Sequence, residues 1–458
     1  MNMKAMIVAA ALGLVSSTAL HAAVSAGEAA RLGKDLTPIG AERAGNADGS
    51  IPAWDGTGTP VPAGWKPGGQ YLPDPFADDK PVYQITDQNM DRYADILTEG
   101  NKALLQRFGP KGYRMDVYPT RRNAAQPQWF YDGTMQNATG ATLVEDGQKI
   151  EGNVPGVPFP MPQSGLEVLW NHMIRFQGYQ SFYKFDTYYI DANGKRVLSS
   201  TADLWSEYPM YVEHFKKRNF ETRDLRWAYT RLHYLAPARR AGEILLVHEP
   251  GADYSASSGR DAWQYLTGQR RVRKAPAVSF DTPNPATAGM STYDDTFIYN
   301  GSPERYDWKL IGKKEMLIPY NCYTYTFGKE VLDLLGDHFF KPEYIRWEKH
   351  RVWIVEGTLK PGSRHIYGKR RYYVDEDTWA ALSGELWDGE GKLWRIMHMY
   401  QVQLWDLPAP ANNAASAYDL LSGVYWTNNK PIPGTFVVGH DMPESFFSPQ
   451  GIARTGIR

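Results

Sequence analysis

The amino-acid sequence predicts a mainly β (α+β) protein: a large curved antiparallel sheet covered by helices and preceded by an extended N-terminal arm. Three observations predict it. From residue 183 onward, segments with a two-residue apolar period follow one another through short turns. No helical pattern alternates with them, which argues against a doubly wound parallel fold. Upstream, two segments carry the three-to-four-residue apolar spacing of amphipathic helices.

Residues 1–23 read as an export signal. Lys4 precedes an apolar run over 5–15, and small residues follow, with cleavage fitting after Ala22, Ala23 or Ala26. The run is roughly half of the ~20 residues that span a bilayer, and no Cys stands nearby to accept a lipid. A periplasmic, soluble protein without a lipid anchor is expected. Residues 24–82 are rich in Gly, Pro and Asp, which exclude long helices and central strands. They form the arm, with Ile51, Trp54, Leu72 and Phe76 as its apolar anchors. Residues 83–458 are then one β-rich domain with a helical lid.

The first helix is predicted over 87–108, capped by Thr86 or Asp87 and ended by Gly109-Pro110. Its stripe runs from Met90 through Leu97 to Leu104, Leu105 and Phe108, with a break near Gly100. The second is predicted over 165–176, with Leu166, Leu169, Trp170 and Met173 on one face. Strands follow over 183–190 and 195–200, joined by the turn Asp191-Ala192-Asn193-Gly194. A further strand places Leu225, Trp227 and Tyr229 on one face. Others cover 244–248, 351–358, 367–374, 378–387 and 392–405, with Asp388-Gly389-Glu390-Gly391 turning between the last two. In the last strand Trp394, Ile396, His398, Tyr400, Val402 and Leu404 share one face, and the opposite face is expected to be wetter. The two helices and the segment after Gly289 are expected to roof the concave side.

Composition narrows the function. Fifty basic against 51 acidic residues give a net charge of −1, which argues against nucleic acid as the main partner. The single Cys322 cannot form an intramolecular disulfide and reads as a buried thiol. There is no G-x-S-x-G elbow, no H-E-x-x-H, no C-x-x-C and no phosphate-cradling loop, so the sequence predicts no catalytic residues, no metal and no cofactor. Asp294-Asp295 and Asp375-Glu376-Asp377 read as a helix cap and a turn. Lys313-Lys314 and Lys369-Arg370-Arg371 read as solvated strand ends. Aromatic content is high, with 15 Trp and 29 Tyr, which suits broad amphipathic surfaces.

The stretch 265–276, Tyr-Leu-Thr-Gly-Gln-Arg-Arg-Val-Arg-Lys-Ala-Pro, followed by Tyr293-Asp294-Asp295, resembles a strand and helix of outer-membrane lipoprotein-sorting proteins. Thr267-Gly268 stands where those proteins carry Pro. The hairpin around Asp388-Gly389 is similar to theirs. Leu36-Thr37-Pro38-Ile39-Gly40, Asn46-Ala47-Asp48-Gly49-Ser50-Ile51-Pro52-Ala53-Trp54 and Trp170-Asn171-His172 resemble the domain of unknown function 1329 family along nearly the whole mature chain. The resemblance implies a LolA-like half-barrel with a cavity for acyl chains, and an envelope membrane-protein partner such as an RND-type exporter.

The sequence thus predicts a periplasmic, non-catalytic binding protein for a lipid or other hydrophobic ligand, acting as a carrier or accessory of an envelope export system. A ligand-free assembly partner and a hydrolase with a dispersed site are the alternatives. Trp227, Tyr229, Trp353, Trp394, Ile396 and Tyr400 are the candidate cavity walls, and Arg270, Arg271 and Arg273 the candidate head-group contacts.

Overall fold

The computed structural model describes residues 24–215, 226–255, 259–275, 280–439 and 442–456. The export signal over 1–23 and Leu225 lie outside the described residues. Among the described residues, no helix is long and apolar enough to cross a membrane.

Four helices matter here: α1 (Glu99–Phe108), α2 (Gln128–Gly140), α3 (Gly165–Met173) and α4 (Pro449–Gly456). The first half of the sheet is a meander of β1 (Gln180–Ile190), β2 (Arg196–Glu207), β3 (Ala228–Ala236), β4 (Ile244–Glu249), β5 (Asp261–Leu266) and β6 (Arg271–Lys274). The second half contains β7 (Tyr306–Pro319), β8 (Trp347–Leu359), β9 (Lys369–Asp375) and β10 (Ala381–Trp387). It continues through β11 (Leu393–Leu404), β12 (Ala409–Asp419) and β13 (Tyr425–Asn428).

Within β1–β6 and within β7–β13 each strand pairs antiparallel with the next, and β13 pairs with β1, so the two meanders are one sheet. A single parallel contact, Trp347 beside Val117, makes it mixed. The outer strands β6 and β7 do not pair, so the sheet stays open. The predicted large antiparallel half-barrel is what the chain forms.

Local chemistry explains the helix ends. Ser164 caps α3 by accepting from the Glu167 N–H. The predicted first helix is shorter than its stripe: Met90–Tyr93 is a 3₁₀ turn, and Thr98 caps α1 by accepting from the Asn101 N–H. The stripe breaks at Gly100 because α1 meets the sheet there. The Gly100 N–H bonds the Glu385 carboxylate, and a Cβ at Gly100 would stand 3.0 Å from Ile396 Cγ2.

The arm is anchored differently from the prediction. Ile51 is buried, but Leu72 is 44% exposed while its neighbour Tyr71 is buried and bonds Asp406. Polar contacts hold the rest: the Arg122 guanidinium donates to the Glu42 carbonyl at 2.8 Å and the Pro52 carbonyl at 3.3 Å.

Covers lie on both sides of the sheet, which corrects the expected wet face. One core joins α3 to Met397, Met399, Val402 and Leu404, and a second joins α1 to Ile396, Tyr400 and Tyr418. A bulge between Tyr400 and Val402 moves the later residues of β11 across the sheet, so the predicted face does not run its full length. The two predicted lid helices therefore cover different cores. A third core sits on the outside of the first meander, where Phe447 and Ile452 pack on Ile244, Leu246 and Tyr265.

Candidate ligand-binding cavity

The two-residue strand period decides what lines the first meander. Leu204 and Ser206 of β2, Thr230, Leu232 and Tyr234 of β3, and Leu245, Val247 and Glu249 of β4 point to one side. Trp205, Tyr229, Ile244 and Leu246 point to the other and are covered by the segment around α4. The inward set lines a cavity of about 80 Å³ with an open mouth. Tyr183 and Tyr208 close one side, and Asn413 and Asn429 reach in from the second half.

Asn284, Ala286, Tyr293 and Phe297 form the roof. Ser199 and Ser200 donate to the Ala286 carbonyl at 2.8 and 2.9 Å, which fastens one end. The other end is latched by ions. Asp294 accepts from Arg370 at 2.7 Å and faces His365 at 3.1 Å, while Asp295 accepts from the Tyr367 hydroxyl at 2.9 Å. Burial alone would raise the Asp294 pKa; Arg370 and His365 outweigh it and hold it at about 2. Asp295 accepts from the Thr292 N–H, so a cap is present, but at a 3₁₀ turn (Tyr293–Asp295) in place of the implied helix. Arg370 is fully buried, which corrects its reading as a solvated strand end. The charged side chains of the cavity wall, Glu249 and Arg260, neutralise each other at 2.6 Å.

The predicted wall residues are not brought together. Trp227 lies behind the wall, edge-on to Phe297 with centroids 5.8 Å apart. Tyr229 is on the outer face against Phe447, so Trp227 and Tyr229 do not share a face; β3 starts only at Ala228 and Trp227 precedes it. Trp353 stacks on Trp379, and Trp394 packs on Tyr367, both in the second half. Ile396 and Tyr400 are fully packed beneath α1. Arg270 is on the turn between β5 and β6, and Arg271 and Arg273 are exposed on the edge strand, bonded to Gln269. The described part of the motif, 265–275, is thus a hairpin at the sheet edge, away from the cavity lining. The sequence trace of the true lining is faint: small polar Ser206 and Thr230 at inward positions between leucines.

Asp375-Glu376-Asp377 is a turn, as Thr378 donating to Asp375 shows, but a buried one. His350, Asp375 and Asp377 have ligand atoms within 4.8 Å of one another, the spacing of a cation site. The positive charge is already supplied: Arg122 donates to both Asp377 oxygens at 2.7 and 2.8 Å. His350 Nε2 is 3.1 Å from Glu348, and Lys313 bonds Glu376 at 3.0 Å. Burial and the neighbouring carboxylates push the Asp375 pKa up to about 7, against the pull of His350. Cys322 is buried, with its thiol pushed up by burial, and is not placed to react.

Comparison with known proteins places this architecture. An uncharacterised protein of Pseudomonas aeruginosa is 41% identical over 451 residues, covering 98% of this chain and 97% of that one. A solved DUF1329 family protein from Desulfovibrio piger aligns over 60% of this chain and 92% of its own, at 15% identity and a TM-score of 0.38. A LolA superfamily protein from Nitrosomonas europaea aligns over 63% and 98%, at 12% identity and a TM-score of 0.36. The family model described as protein of unknown function (DUF1329) matches residues 84–453, the arm excepted. The chain belongs to the DUF1329 family.

Proposed function

We propose that this protein is a non-catalytic binding protein of the bacterial envelope that holds a lipid or similar apolar ligand in the cavity of the first meander. It would serve there as a carrier or accessory of an export system with a membrane-protein partner. The observation that carries the reading is the cavity itself: leucine, valine and aromatic side chains interspersed with Ser206, Thr230 and asparagines, beneath a separately latched roof. Each methylene buried there would stabilise the complex by about 0.8 kcal/mol, so the part of an apolar chain that enters is held without a strong polar site. The envelope location rests on the signal-like pattern of residues 4–26.

Native mass spectrometry on protein isolated from its own periplasm, before and after organic extraction, tests the reading. A bound lipid mass that extraction removes is the expected result. An unliganded mass in both samples, together with failure to take up added lipid, would make the protein a ligand-free assembly partner instead.

A further inference from the structure

Arg175 follows α3 and is 3% exposed. One of its N–H groups donates to the His172 carbonyl at 2.6 Å. Its Nε and second terminal nitrogen have no hydrogen-bond partner, and among the described residues no carboxylate pairs with it. Other buried arginines are compensated: Arg122 by Asp377, Arg260 by Glu249, Arg346 by Glu348, Arg370 by Asp294 and Arg395 by Asp419. Arg231 also lacks a carboxylate, but it lies on the outer face, where it covers the Phe446 ring at 3.9 Å and bonds the Phe446 carbonyl. A buried guanidinium with two idle donors is costly unless an anion completes it.

What surrounds Arg175 says where the anion comes from. Its guanidinium carbon is 5.3 Å from the Phe297 ring, and Phe297 is a wall of the cavity. Tyr208, another wall residue, is also a neighbour, and burial keeps its phenol protonated, so it supplies no negative charge. Phe297 and Ile298 sit at φ +55° and +74°, a backbone region that bulky side chains rarely adopt. Arg175 itself lines a smaller neighbouring cavity with Ile39, Phe130 and Trp379, so a ligand in the larger cavity reaches it only where the Phe297 ring turns aside.

Resting on the binding reading above, we infer that the ligand is an anionic amphiphile whose carboxylate or phosphate is bound by Arg175 while its chain lies along β2–β4. Burial pushes the Arg175 pKa down to about 10, still well above neutral, so the side chain is a cation when it meets the ligand. The exposed arginines of the edge hairpin have no part in this.

Equilibrium binding of dodecanoate, dodecyl phosphate and dodecanol to the full protein tests the inference, with Arg175→Met and Arg175→Lys beside the wild type. A charge-assisted pair predicts that at least one of the two anions binds about tenfold or more tighter than dodecanol. The stronger of the two identifies the head group as carboxylate or phosphate. Arg175→Met should abolish the preference and leave dodecanol binding within about twofold, and Arg175→Lys should restore part of it. Unliganded Arg175→Met should also melt at a higher temperature than the wild type, because an uncompensated buried charge is gone. Equal binding of all three probes by the wild type, or an anion preference that survives Arg175→Met, overturns the inference and leaves the cavity reading intact. Binding of none of the three overturns both. Should Arg175→Met fail to fold, the inference is overturned as well, because that residue would then be needed by the unliganded fold.

Discussion

The two halves of the sheet are built alike, from antiparallel strands joined by tight turns, and they differ in what fills the space against them. In the second half both faces carry packed cores, and the space left is an open groove between residues 94–102 and β7–β9. Trp379, Leu382 and Val355 fill one side, Tyr400 and Tyr418 under α1 fill the other, and the buried network of Arg122, Glu376 and Asp377 ties in the arm. In the first half the outer face is sealed by Phe447 and Ile452, but the inner face meets a roof of irregular chain. The roof sets the small Ala286 and Asn284 beside Tyr293 and Phe297, and space remains. Where the chain leaves space is thus set by what covers a meander, not by the meander itself. Interior packing is dense by default, so the hollow half is the departure that needs a function.

Removing one partner of a buried ion pair is the most damaging way to break the contrast. Arg122→Ala strands Asp377 and Glu376 and frees two arm carbonyls. It should cost about 3–5 kcal/mol in urea denaturation, while ligand binding per folded molecule stays unchanged. Side chains inserted into the two halves sharpen the comparison. Val355→Phe, at a fully buried position of the second half, should lose about 1–3 kcal/mol. Leu232→Phe, at the cavity, should lose less than about 1 kcal/mol because the added ring enters existing space. Equal losses would show that the first half is packed as tightly as the second.

A pH series probes the second half more gently. Burial lowers the His398 pKa to about 3 in the folded state, against about 6.5 when unfolded. The unfolded chain therefore binds the extra proton first, and this residue's stabilising contribution, complete above about pH 6.5, is lost as pH falls toward 3. Its slope approaches about 1.4 kcal/mol per pH unit. Denaturation midpoints of His398→Leu should fall less steeply than those of the wild type over that window. Parallel curves would mean that His398 is solvated.

The architecture was legible because it is written in local periods and punctuation. Alternation from residue 183, the Asp388–Gly391 turn and the Ser164 cap each depend on residues close in the chain. The site was not legible, because a two-residue period says which side chains share a face and not what lies opposite. Trp394, Ile396 and Tyr400 lie in the second half of the sheet, outside the cavity lining, and the bulge after Tyr400 divides their strand between two cores. Arg270, Arg271 and Arg273 drew attention as a cluster, although clustered charge in sequence usually marks solvent. Arg175 stood alone at a helix end, where an arginine is ordinary. Its significance lies in the missing carboxylate, which is a property of the folded packing.

Titration with the apolar fluorophore N-phenyl-1-naphthylamine tests the central claim most directly, comparing the wild type with Leu232→Trp, which fills the cavity, and Val355→Phe, which does not touch it. The account predicts one saturable site in the wild type and in Val355→Phe, and its loss in Leu232→Trp with the far-ultraviolet circular dichroism unchanged. Undiminished binding by Leu232→Trp, or no saturable site in the wild type, would contradict it.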